Sequence, residues 1–241
     1  MAKKQKVKLA IGTPTTGFSR IEWVDSIMAM QKDLLHDATL GVDDIQLFFY
    51  TTSVIPKNRH VIVDYAQKWG ATHLLWVDDD MNFPPIAARK LLHTMLKNPK
   101  EYRIIGANCV KRQYPIRFMA TGLDGKEVVS YEKSGIEQVF FTGNAFVLMD
   151  MKLFEEFELP YFAFGWNPII KDFGTEDVYF MAKALKEKGI KTWVDHDVSN
   201  LIDHVGIWIF KPQHWTPVKE EERRRDWEPP STPKEESGLA A

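Results

Sequence analysis

The chain has 241 residues, one cysteine and a formal net charge of −2. A lone cysteine excludes an internal disulfide framework and a multi-cysteine zinc site, and the near-neutral balance gives no electrostatic ground for nonspecific nucleic-acid or membrane-surface binding. With 44% hydrophobic residues the chain can bury the core of one α/β domain.

Lys3, Lys4 and Lys6 make the amino terminus basic, but no long apolar stretch follows, and no apolar run reaches the length of a membrane span. The expectation is a cytoplasmic protein. Val7 to Gly12 reads as a short buried strand broken at Thr13-Pro14. Ser19 and Glu22 fit a capping box, and Val24, Ile27, Met28, Leu34 and Leu35 recur at helical spacing. Ile45 to Tyr50 is a second strand. Asn58 to Trp69 is a helix with Val61, Ile62, Tyr65, Ala66 and Trp69 on one face, closed by Gly70. His73 to Val77 is a third strand, Pro84-Pro85 open a helix running to Leu96, and Ile104 to Ala107 is a fourth strand. Strands alternating with helices predict a mostly parallel sheet covered on both faces, with ligands at the carboxyl ends of its strands.

The second half has a different grain. Phe118 to Ala120, Val128-Val129 and Val139 to Phe141 read as short strands separated by turns such as Asp124-Gly125. A helix runs from about Glu176 to Lys188, with Val178, Met181, Ala182 and Leu185 inward and Gly189 at its end. Lys191 to Val194 and Val198 to Ile202 are further strands. From Lys211 the chain becomes Pro-rich and charged, so residues 1–210 are expected as the catalytic domain and 211–241 as a tail or lid.

Three clusters carry chemistry. Asp78-Asp79-Asp80 follows the third strand, and two such charges about 4 Å apart repel by roughly 4 kcal/mol at an effective dielectric near 20. A divalent cation offsets that cost; a solvated acidic turn is the plainer reading. Alternation along an extended segment puts Asp78 and Asp80 on one face, with Asp79 turned away. Gly174-Thr175-Glu176-Asp177 opens a helix, where Thr175 fits a cap and the acids suit the positive helix end. His204 follows a late strand. Oxygen ligands with one imidazole suit Mn²⁺ or Mg²⁺.

In this order and spacing the segments resemble a GT-A fold glycosyltransferase, of the family 2 type that uses nucleotide sugars. The resembling segments are Ala10 to Thr15, Lys57-Asn58-Arg59, Leu74 to Asp80 as a DxD motif, Phe141 to Leu148, Gly174 to Phe180, and Trp193 through His204-Val205-Gly206. They cover roughly residues 7 to 206. The resemblance implies a GT-A (Rossmann-like), mostly parallel central sheet flanked by helices, with a smaller mixed sheet on the acceptor side. It implies that Asp78 contacts the ribose or the metal, that Asp80 and His204 bind the metal, and that Asp79 lies with the donor. Thr13, Pro14 and Thr15 would line the nucleobase pocket, with Asn58 and Arg59 near the nucleotide. Gly143 and Asn144 would lie beside the sugar, and Asp177, rather than Glu176, would be the catalytic base. The chain departs from the pattern after the second strand, where Thr51-Thr52-Ser53 replace an acidic nucleobase contact. Arg224-Arg225-Asp226-Trp227 is a poor match to the Gln-x-x-Arg-Trp motif of membrane-bound members.

The implied activity is inverting transfer of a sugar from a nucleotide-diphosphate sugar, with a UDP-sugar expected, to an acceptor hydroxyl. The acceptor class stays open among glycan, lipid, protein, small molecule and modified nucleic acid. Lys111, Arg112, Gln113, Tyr114 and Arg117 read either as a solvated loop or as an acceptor entrance that meets phosphate. Tyr161, Phe162, Phe164 and Trp166 read either as core or as a sugar-stacking surface, whereas Trp69, Trp76 and Trp193 read as packing residues. One alternative is a sugar-phosphate nucleotidyltransferase, which calls for a Gly-rich basic loop that Gly12 to Arg20 supplies poorly. Another is a noncatalytic nucleotide- or sugar-binding module of the same fold.

Overall fold

The computed structural model describes residues 6–167, 172–206 and 209–215. In chain order the elements are β1 (Val7–Pro14), α1 (Ile21–His36), β2 (Val42–Tyr50), α2 (Ile55–Trp69), β3 (His73–Val77), β4 (Met81–Asn82), α3 (Ile86–Lys97), β5 (Ile104–Gly106) and β6 (Ile136–Val139). They continue with β7 (Phe146–Asp150), α4 (Leu153–Glu156), β8 (Gly165–Asn167), β9 (Asp172–Gly174), α5 (Glu176–Lys188), β10 (Thr192–Asp195), α6 (His196–Ser199), β11 (Asp203–Val205) and β12 (Ile209–Phe210). None of the described helices is long and apolar enough to cross a membrane.

The main sheet has seven strands in the order β2-β1-β3-β7-β5-β10-β6. Strands β2, β1, β3, β5 and β10 share one direction, while β7 and β6 oppose it. This is the expected α/β architecture, accompanied by a small sheet β12-β11-β4 and the hairpin β8-β9. Strand β3 shows why its continuous apolar run has to be central: Leu75 and Val77 enter the core beneath α1 and α3, and Leu74 and Trp76 enter the core on the α2 and α5 side. Gly70 and Gly189 terminate α2 and α5 in the left-handed conformation, at φ 79° and 65°, where a Cβ would be strained.

Several expectations are corrected. Helix α1 is capped by Arg20 with no side-chain hydrogen bond, so the Ser19–Glu22 box does not form, and Met28 and Leu35 face solvent while Trp23 and Met30 are buried. Helix α2 starts earlier than expected, with Pro56 in its first turn and Asn58, Arg59, Ile62, Val63 and Ala66 inward; Tyr65 is exposed. The inward residues of α5 are Glu176, Phe180, Met181 and Ala184, because Phe180 joins a ring cluster with Phe154 and Phe162. Phe118 to Ala120 and Val128-Val129 make only isolated bridges and single hydrogen bonds. The strand expected at Val139 to Phe141 is shifted to β6. Val198 to Ile202 is not a strand: Asp195 accepts the Val198 amide hydrogen bond at 3.0 Å and nucleates α6, so the strand begins at Asp203.

The largest omission is β7, between β3 and β5. Of the expected tail, Lys211 to Trp215 are described, with Trp215 against Tyr131 at 6.4 Å between ring centroids. Arg224-Arg225-Asp226-Trp227 lies outside the described residues.

Candidate active site

The shared direction of β1 and β3 brings Thr13-Pro14 and Asp78 to one edge of the sheet. Because β7 runs the other way, its start reaches the same edge, and the Asp78 amide donates to the Ala145 carbonyl at 3.1 Å. The first turn of α5 brings in Glu176 and Asp177. The resulting cleft, of about 310 Å³, is lined by Pro14, Thr15, Thr16, Ile55, Arg59, Asp78 to Asp80, Met119, Gly143 to Ala145 and Thr175 to Asp177. That volume is at the small end for ligand sites. A larger cavity, of about 630 Å³, lies at the opposite end of β3 around His73, Asp150 and Lys152, and it gathers none of the expected residues.

The Asp triplet forms a turn, with the Met81 amide donating to the Asp78 carbonyl at 3.3 Å. The segment is not extended as expected, and Asp79 lines the same cleft as its neighbours, with its carbonyl receiving the Arg20 amide at 3.1 Å and its carboxyl bonded to Thr15. Asp78 Oδ1 receives Arg59 Nη2 at 3.2 Å, and Arg59 Nε donates to Glu176 Oε1 at 2.8 Å. The guanidinium is buried and lies over the Trp76 ring, 5.0 Å from its centroid. Burial pushes the Asp78 carboxyl up to about 6; Arg59 opposes that shift, and Asp80 and Glu176 add to it.

Asp80 has a different environment. Its Oδ2 lies 2.8 Å from Arg112 Nη1 and 3.3 Å from His204 Nε2, whereas its Oδ1 is buried without a partner. Burial would raise the Asp80 carboxyl, but His204 and Arg112 outweigh it and hold it below the usual carboxylate range. His204 Nδ1 lies 2.8 Å from the Val110 carbonyl, which can only accept, so Nδ1 carries the hydrogen. In the neutral ring, Nε2 then aims a lone pair at a carboxylate oxygen, an arrangement that is favourable only with a proton or a cation between them. A carbonyl on the far ring nitrogen is also the usual support of a metal-binding imidazole.

Among the described residues, no group of three or more His, Cys, Asp or Glu forms a ready cation cage. Asp80 Oδ2 and His204 Nε2 are nevertheless close enough to act as two adjacent ligands of a divalent ion. Such an ion would sit between Asp80 Oδ2 and His204 Nε2, and the buried Oδ1, without a partner among the described residues, leaves the same carboxylate under-satisfied. Asp78, expected as a ligand, is engaged by Arg59.

Asp177 Oδ1 accepts from Thr175 Oγ1 and from the Val178 amide at 2.8 Å, while Oδ2 has only the Asn144 amide at 3.3 Å. Thr175 holds the N-cap position, but its hydroxyl serves Asp177 instead of capping the helix. Both side-chain polar atoms of Asn144 are buried without partners, as are Arg59 Nη1 and Asp79 Oδ2. So many orphaned atoms around one cleft mark a site shaped for a polar ligand. A Cβ at Gly143 would lie 2.5 Å from Met119 Sδ, so the flexible methionine would have to move, and 3.6 Å from Asp177 Oδ2.

Three expected residues stand apart from the cleft lining: His204, which lies behind it against Asp80, and Asn58 and Thr13. Asn58 is buried and clamps the loop after β2 through Thr52, accepting from its hydroxyl at 2.5 Å and donating to its carbonyl at 3.0 Å. Thr13 is buried in β1 with its hydroxyl unpartnered. Sequence reasoning missed Met119 as a wall and Arg112 as the partner of Asp80; only the positive charge of Arg112 hinted at its place. Of the aromatics before Gly174, Tyr161 and Phe162 are core, while Phe164 and Trp166 are exposed. Trp76 is fully buried, and Trp193 donates to the Glu101 carbonyl at 3.1 Å.

Elsewhere, Ser130 Oγ lies 2.8 Å from His196 Nδ1, and His196 Nε2 lies 3.0 Å from Glu137. This resembles a nucleophile–base pair, but Ser130 is fully buried and also receives Asn108 Nδ2 at 3.0 Å. No substrate can reach it, and the group serves as an internal tie.

No family model and no curated protein sequence matches this chain. Solved structures that share its fold include A197 from STIV, with a TM-score of 0.58 and 15% identity over 88% of this chain and 98% of that one. They also include GalNAc-T7, crystallised with UDP, GalNAc and Mn²⁺, with a TM-score of 0.52 and 11% identity over 90% of this chain and 46% of that one. This chain therefore spans about half of GalNAc-T7. Identities this low establish a shared GT-A-like fold and nothing finer.

Proposed function

We propose that this protein is a metal-dependent, inverting glycosyltransferase that takes its sugar from a nucleotide-diphosphate sugar, with UDP as the expected nucleotide. One observation carries the reading: Asp80, backed by His204, the less engaged oxygen of Asp177, and the orphaned polar atoms of Asn144 and Arg59 converge on one cleft at the carboxyl edge of the sheet. The fold shared with a protein crystallised with UDP, GalNAc and Mn²⁺ supports it.

Asp80 and His204 would hold Mn²⁺ or Mg²⁺, which supplies charge stabilisation to a departing diphosphate. Arg59 keeps Asp78 and Glu176 in place beneath the donor. Asp177 would take the proton of the acceptor hydroxyl on Oδ2, its less engaged oxygen. Thr175 and the Val178 amide hold the other oxygen and so fix the carboxylate plane. Glu176 is a poorer base because it is buried in an ion pair with Arg59. The Gly143 backbone leaves space beside Asp177 that a side chain would close.

The test is calorimetric titration of UDP with Mn²⁺ and again with a chelator. Binding is expected only with Mn²⁺, and Asp80→Asn is expected to abolish it. UDP binding that ignores both the cation and Asp80 would remove the metal from this reading.

A further inference from the structure

The described chain places an internal cation on the carboxylate assigned to metal binding. Arg112 Nη1 sits 2.8 Å from Asp80 Oδ2, the same oxygen that faces His204. The side chain of Asp80 is 15% exposed and that of Arg112 is 47% exposed. A largely buried carboxylate is thus met by a half-exposed guanidinium reaching in from a loop whose residues 111–115 are all exposed.

Arg59 sets the contrast. Its side chain is 4% exposed, bonds two carboxylates and lies on the Trp76 ring. That guanidinium is built in. Among the described residues Arg112 makes one ion pair, through one nitrogen and without the bidentate geometry that strengthens such pairs, and single pairs with one half-exposed partner are weak. It is therefore easy to displace.

We propose that Arg112 is a displaceable counter-ion: it neutralises Asp80 while the cleft is free of donor, yields that oxygen to the arriving divalent cation, and then pairs with the donor's diphosphate. The inference rests on the reading of Asp80 as a metal ligand. It adds a residue that couples cation loading to anion capture. A divalent cation held by both Asp80 and His204 would take Oδ2, the oxygen that faces the imidazole, and two positive groups cannot share that oxygen cheaply, so cation entry expels the guanidinium. The expelled group stays tethered to the exposed loop at 111–115, within a side chain's reach of Asp80, which lines the cleft, and so is available to the donor's diphosphate. Its planar fork suits a phosphate oxygen pair better than a lysine does.

The experiment is calorimetry on the full chain, first with Mn²⁺ alone and then with UDP at saturating Mn²⁺, for the parent, Arg112→Ala, Arg112→Lys and Asp80→Asn. Arg112→Ala is expected to bind Mn²⁺ roughly two- to fivefold more tightly than the parent, because its competitor is gone. The same variant is expected to bind UDP about tenfold more weakly, because a charge-assisted bond is lost. Arg112→Lys should fall between the two in both titrations. Unchanged or weaker Mn²⁺ binding in Arg112→Ala, with binding still lost in Asp80→Asn, overturns the counter-ion and leaves the metal site standing. Undiminished UDP affinity in Arg112→Ala overturns the diphosphate role. If neither the parent nor Arg112→Ala binds Mn²⁺ at all, the metal reading falls and the inference falls with it.

Discussion

Replacing Arg59 with methionine tests whether the floor of the cleft is held by charge or by packing. Methionine keeps most of the apolar stem over Trp76 and removes the guanidinium that bonds both Asp78 and, 117 residues further along the chain from Arg59, Glu176. Taking one partner from a buried ion pair leaves an uncompensated charge and costs about 3–5 kcal/mol. For a chain of this size that is a fall in Tm of roughly 6–20 °C. The structure adds a pH signature. Asp78 is pushed up to about 6, so in the folded parent it is largely protonated at pH 5. There Arg59 has one fewer ionic partner, and its loss should cost clearly less than at pH 7.5. Urea unfolding followed by tryptophan fluorescence, in chelator at both pH values, measures the difference. Adding Glu176→Gln to Arg59→Met should recover part of the loss at pH 7.5, since the second change removes a stranded charge. A loss below about 1 kcal/mol at pH 7.5, or an equal loss at both pH values, would falsify the idea that this guanidinium neutralises the site.

Asp177→Asn should leave UDP affinity near that of the parent while turnover falls by about 10²–10⁴-fold, and near-normal turnover would exclude it as the base. His73 is buried at the start of β3, and burial lowers its imidazole to about 4 despite the attraction of Asp150. The unfolded chain binds that proton near pH 6.5, so between the two values the unfolded state is the more protonated and stability falls as the pH drops from about 6.5 to about 4, by about 3 kcal/mol in all. His73→Gln should flatten that acid limb, and a limb of unchanged steepness would show that another group causes it. The Cys109 thiol is pushed up by burial and then by Asp78 and Asp80, so it should resist a disulfide-exchange reagent until the protein unfolds. Gly106→Ala sets a Cβ 2.6 Å from Val147 Cγ2 and 2.7 Å from the Phe146 carbonyl. Denaturant titration should show about 1–3 kcal/mol of destabilisation, whereas a neutral result would mean that β5 and β7 can separate freely.

Local pattern alone determined much of this protein. The unbroken apolar run at His73–Val77 could only be a strand buried on both faces, and its bounds match the structure. The periodic helices ending at Gly70 and Gly189 were legible for the same reason: a 3.6-residue repeat and a left-handed stop are properties of short segments. The acidic groups at 78–80 and 176–177 could be picked out as residues whose charges need partners. Their partners could not. Arg59 reaches Glu176, Arg112 reaches Asp80, and His204 turns toward Asp80 through a carbonyl at Val110. The same limit hid β7, whose apolar residues look alike in either direction; its place between β3 and β5 is what presents Gly143 and Asn144 to the cleft. Periodicity reports that a segment is a helix or a strand, but which residues face the core was decided by packing, as Met28, Leu35 and Tyr65 on the exposed side show. Strand order, strand direction and the pairing of distant charges are decided only when the whole chain closes over its core, because those contacts depend on separations in space that neighbouring residues do not encode.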